Sequence, residues 1–128
     1  MGAAVLDWPG LDHQVIVTTS ADETARVWDP RDPGRELARF EGHTGRVWGA
    51  MPLDWPGLDH QVIVTTSADG TARVWDPHEP SQELVRFPLF GEGYSIAMLR
   101  PKTVVAGSSR GFAMFILDAA DPLDNSQS

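Results

Sequence analysis

Apolar residues in this chain fall into short runs separated by turn-forming residues, and no stretch shows a helical period. Gln61-Val-Ile-Val-Thr-Thr is β-branched along most of its length and too short for a helix, which predicts a buried strand. Thr71-Ala-Arg-Val-Trp alternates small or polar with apolar positions, as a strand does. Between the two, Ser67-Ala-Asp-Gly-Thr carries an Asp-Gly pair, the chemistry of a hairpin turn. Asp76-Pro77 ends the second strand, and Pro80 marks a loop, because proline has no N–H to give a ladder. Glu83-Leu-Val-Arg-Phe reads as another short strand. Arg46-Val-Trp-Gly-Ala-Met-Pro-Leu reads as a strand ahead of the set.

The pattern occurs twice. Leu6 to Pro30 reads LDWPGLDHQVIVTTSADETARVWDP, and Leu53 to Pro77 repeats it 47 residues later with one difference, Glu23 against Gly70. A looser copy continues from 31–40 into 78–87. A period of this length suits either a helical solenoid or a propeller blade, and four short strands per period disfavour the solenoid. The Glu23 position predicts a strained or different turn, since a tight hairpin often needs φ > 0, which glycine supplies at low cost.

Glu41-Gly42-His43-Thr44 before one strand and Arg73-Val74-Trp75-Asp76 at the end of another resemble the signature of the WD-repeat β-propellers. Phe40 to Pro77 looks like a full unit, and Ala3 to Pro30 like the same unit with its start cut off. The resemblance implies an all-β fold of four-stranded antiparallel blades forming a partial propeller within one chain. It also implies that strands run outward from a central channel and that each sequence repeat straddles two blades. The strands expected are 2–6, 14–19, 24–28 and 36–40 for blade one (residues 1–40, its first strand truncated). For blade two (41–87) they are 46–53, 61–66, 71–75 and 83–87. A degenerate third blade (88–118) holds 94–100, 103–108 and 112–117. It lacks an outer strand unless the polar tail, 119–128 with Asp118, supplies one. Aligning Asp69-Gly70 with Arg110-Gly111 sets Ala106 opposite Thr65 and Ile116 opposite Trp75, so the third copy loses the signature.

Composition narrows the function. With 41% hydrophobic and 22% charged residues the chain is globular, and 128 residues suit one domain. The absence of cysteine excludes disulfides and thiolate metal sites, and a cytoplasmic home fits. A net charge of −8 repels phosphate backbones and argues against nucleic acid. No apolar run approaches the roughly 20 residues that span a bilayer. The N-terminus has no signal-peptide pattern, and Leu6 stands where myristoylation wants Ser or Thr.

The resemblance also implies a buried hydrogen-bonded set tying strands together: His43, Thr65, Asp69 and Trp75, with Thr18, Asp22 and Trp28 as its remnant in blade one. A catalytic triad is the rival reading. A nucleophile needs an exposed cleft, however, and this set is expected between strands. The loops Asp7 to His13 and Asp54 to His60 carry Asp-His pairs without a metal-site spacing, so no metal is expected. Trp8 and Trp55 in these loops are candidate partner anchors, or pack over the blade's edge. The family's usual partner face would present Arg46 and Trp48, although Trp48 also suits space-filling between blades.

These readings favour a non-catalytic protein-interaction scaffold with no cofactor and an unidentified protein partner. Two rivals stand beside it. One is a carbohydrate-binding propeller stacking sugars on Trp8 and Trp55, and the other is a propeller enzyme with a site assembled between blades. No phosphate loop, nucleophile elbow or zinc signature supports an enzyme. Propellers typically have four to eight blades, so three blades would expose apolar end faces. The expected resolution is self-association into a closed ring of about six or nine blades, or membership of a larger propeller.

Overall fold

The computed structural model describes residues 3–8, 10–32, 34–55, 57–81, 83–89, 91–100 and 103–116. Eleven strands form three antiparallel sheets, with no helix among the described residues. Sheet one holds β1 (Ala3–Asp7), β2 (Gln14–Thr19), β3 (Ala25–Trp28) and β4 (Glu36–Phe40). Sheet two holds β5 (Val47–Asp54), β6 (Gln61–Ser67), β7 (Thr71–Trp75) and β8 (Glu83–Pro88). Sheet three holds β9 (Gly93–Arg100), β10 (Thr103–Ser108) and β11 (Gly111–Ile116). Each sheet is an up-and-down meander whose strands pair in chain order. The strands fall within a residue of the expected bounds, a difference within the fraying of strand termini, and the sheets have the strand order of propeller blades. An outer strand from the tail lies outside the described residues.

The twin sheets match in register. Val17 faces Val27 across β2 and β3 as Val64 faces Val74 across β6 and β7. Both sheets carry a bulge at the Val-Trp step of the third strand, Val27/Trp28 and Val74/Trp75. The β2–β3 turn places Glu23 at φ 77°, where its twin Gly70 has φ 85°. Glu23 is the one non-glycine residue with positive φ among those described, so the turn keeps its type and the side chain accepts the strained backbone.

The sheets stack face to face, first strand against first strand: β1 contacts β5, and β5 contacts β9. Between sheets one and two lie Leu6, Val15, Val17, Val27 and Phe40, with Ile63 and Trp75 from the other side. Phe40 and Trp75 stack with ring centroids 4.9 Å apart and planes 10° from parallel. Between sheets two and three lie Leu53, Val62, Val64 and Val74, with Ile96 of β9 packed against them. The hydrophobic layers are thus between blades, and no blade encloses a core of its own.

Candidate functional site

The chain from β4 to β5 delivers His43 into sheet two. Its side chain is fully buried, and that of Asp69 is 5% exposed. His43 Nδ1 lies 2.9 Å from Asp69 Oδ2, and His43 Nε2 lies 2.6 Å from Thr65 Oγ1. A carboxylate can only accept, so Nδ1–H donates to Asp69 and the Thr65 hydroxyl donates to Nε2, a tautomer assigned from the bonding pattern. Asp69 also accepts from Thr44 N (3.0 Å), Thr71 N (2.9 Å) and Thr71 Oγ1 (2.6 Å). Arg73 adds an ion pair to Asp69 at 3.4 Å and one to Glu83 at 3.1 Å, and donates to Gly42 O. Burial opposes ionisation of Asp69, but the hydrogen bonds from Thr71, His43 and Thr44 outweigh it and hold the carboxyl at about 2. Burial lowers the His43 pKa although Asp69 pulls the other way, so this imidazole is neutral.

Trp75 corrects the sequence-based expectation. Its Nε1 is buried and has no hydrogen-bond partner among the described residues, so the relay stops at Thr65. Stacking on Phe40 sets the plane of the indole. In sheet one the corresponding Trp28 donates its Nε1–H to Thr18 Oγ1 at 2.9 Å. Asp22 does not join that bond. It accepts from Thr24 N and Thr24 Oγ1 and pairs with Arg26 at 2.5 Å, with 47% of its side chain exposed. Among the described residues the set in sheet one thus forms two separate pieces, Trp28 with Thr18 and Asp22 with Thr24 and Arg26.

The second cluster lies at the far end of the blades. His13 Nε2 meets Asp29 Oδ1 at 2.8 Å, and His60 Nε2 meets Asp76 Oδ1 at 2.9 Å. Each pair ties the loop after a blade's first strand to the loop after its third. Sequence reasoning weighed His13 and His60 as metal ligands with the aspartates of their own loops, and did not join them to Asp29 and Asp76. The signal it could have used is the same His-to-Asp spacing of 16 in both copies. Bonds from Asp12 and Asp29 raise the pKa of His13. For His60, burial opposes the charged form, but Asp59 and Asp76 prevail and the pKa is raised. Among the described residues no group of three or more His, Cys, Asp or Glu could hold a metal ion.

Trp8 packs against the layer between sheets one and two, and Trp55 against the layer between sheets two and three. The Trp8 ring also lies against the His78 ring, with centroids 4.3 Å apart and planes tilted by 36°. Arg46 is exposed with its guanidinium 5.1 Å from the ring centre of Trp48, which is half-buried. The structure thus separates the candidates into a buried relay, one aromatic–cation pair near the relay end, and two packed indoles at the opposite end.

The family model described as WD domain, G-beta repeat matches residues 9–29 and 34–76, half of the chain. No curated protein matches it. Among solved structures the chain is similar to the crystal structure of the WD40 beta propeller domain of Doa1, with 22% sequence identity and a TM-score of 0.67. That match covers 78% of this chain and 32% of the other, so the chain spans about a third of that structure's length. No helix among the described residues is long and apolar enough to cross a membrane.

Proposed function

The chain belongs to the WD-repeat family, and from that membership we propose that it is a non-catalytic, cytoplasmic protein-interaction scaffold whose stack is completed by further blades. One observation carries the reading. Ile63 and Trp75 are fully buried against sheet one. Their repeats Ile16 and Trp28 stand part-exposed on sheet one's opposite flank, beside Val5, which is 53% exposed. A surface built to be covered in one sheet is open in its twin, and a soluble protein rarely leaves such a flank bare. Self-association into a ring of about six or nine blades would cover it. The non-catalytic part of the reading is supported by the relay: His43, Asp69 and Thr65 are sealed between strands and spend their bonds on structure. Light scattering on the purified chain tests the assembly. A mass of two or three copies is expected, and a well-folded monomer of 14.0 kDa overturns self-association.

A further inference from the structure

The two copies of the Trp-Pro-Gly-Leu-Asp-His loop have the same sequence but different electrostatic surroundings. In the first, Arg31 reaches Asp12 at 3.1 Å, so a guanidinium caps the loop carboxylate. In the second, the residue in the position of Arg31 is His78, whose ring lies tilted against Trp8 and edge-on to His60 at 4.5 Å. Asp59, the twin of Asp12, meets the His60 ring at 3.1 Å with His78, in place of a guanidinium, as its other nearby basic group, and its side chain is 98% exposed. Asp59 lines a cleft of about 410 Å³ between the two loops, together with Asp7, Trp8, Asp54, Leu58 and His60. The floor is fixed by a bond across the sheets, Asp7 N to Gln61 Oε1 at 3.0 Å. Among the described residues no lysine or arginine lines the cleft.

We infer that this cleft takes the guanidinium of an arginine side chain presented by a partner protein. The first loop shows the chemistry, since the same carboxylate position there holds a guanidinium of the chain's own. Planar guanidinium suits such a site because it pairs with carboxylates in a fixed fork and lies against aromatic or apolar walls, here Trp8 and Leu58. Three carboxylates and a chain of net charge −8 draw a cation in and repel an acidic segment. The inference names a partner chemistry within the scaffold reading, but it needs only sheets one and two.

The test uses N-acetylargininamide with the full chain, followed through the NMR signals of the Trp8 indole N–H and the His60 ring. Saturable shifts are expected, weakened by added salt, with none from the neutral citrulline analogue. The double variant Asp54→Asn/Asp59→Asn should bind at least about tenfold more weakly, the loss of a charge-assisted contact. Asp12→Asn, in the loop already capped by Arg31, should bind as the parent does. His78→Arg puts a guanidinium in the position that Arg31 holds in the first copy, and should also bind at least about tenfold more weakly. Absence of saturable shifts, equal binding of citrulline, or parent-like binding by His78→Arg overturns the inference. Because the probe is a small molecule, its failure leaves the mass measurement and the scaffold reading standing.

Discussion

The twin sheets allow the relay to be tested against its own remnant, with Asp69→Asn and Asp22→Asn as the paired perturbations. An asparagine keeps one acceptor oxygen and turns the other into a donor. At position 69, one carboxylate oxygen faces Thr71 N and Oγ1, and the other faces His43 Nδ1, Thr44 N and Arg73. Whichever way the amide turns, its NH₂ meets a backbone N–H that cannot move aside. The variant loses a charge-assisted bond, about 1.5–3 kcal/mol, and leaves a buried donor unpaired, about 1–3 kcal/mol. Since these overlap, the expected cost is about 2–4 kcal/mol. The low carboxyl pKa agrees, as a fall from 3.8 to about 2 corresponds to about 2 kcal/mol favouring the ionised native form. At position 22, water replaces what the half-exposed side chain loses, so the cost should stay below about 1 kcal/mol. Urea denaturation at one fixed protein concentration measures both. Equal losses at the two positions would refute the argument that burial and the His43 contact give Asp69 its weight.

Other outcomes follow from the same geometry. The Asp69 contribution should be fully present above about pH 3.8 and lost as pH falls toward 2, visible as an acid limb in a stability–pH curve that Asp69→Asn lacks. The histidines should titrate in opposite senses by NMR. His43, lowered by burial, adds stability present above about pH 6.5 and lost as pH falls through its native value. His13 and His60, raised by their aspartates, add stability present below about pH 6.5 and lost as pH rises through theirs. Glu23→Gly removes left-handed strain of about 1–2 kcal/mol at the cost of about 0.5–1 kcal/mol of glycine entropy, so a small rise in urea midpoint is expected. Gly45→Ala should destabilise by about 1–3 kcal/mol, because its Cβ would lie 2.8 Å from the Asp69 backbone nitrogen, and weakened exchange protection at Thr44 would report it.

The His43, Thr65 and Asp69 set was legible in the sequence only through the family resemblance, and local spacing accounts for part of it. Thr65 on β6 and Asp69 in the β6–β7 turn come together through one hairpin, whereas His43 lies in the segment before β5, 22 and 26 residues away, and joined them only through that resemblance. Trp75 was not legible because its indole stacks on Phe40 of the preceding sheet, a contact between sheets that strand spacing does not show. The His13–Asp29 and His60–Asp76 ties were missed because loop residues show no periodicity, and two loops meet only once the strands between them have folded.

By itself the sequence determined the strands, their pairing and their turns, since β-branched runs and Asp-Gly or Asp-Glu corners act over a few residues. Only the tertiary structure decided which faces are covered. Gln-Val-Ile-Val-Thr-Thr occurs in both β2 and β6. In β2 buried and half-exposed positions alternate, whereas in β6 every residue after the glutamine is buried. The six residues are the same, but sheet two lies between neighbours and sheet one has a neighbour on one side. Burial is a property of what packs against a strand, and the strand's own residues cannot specify it.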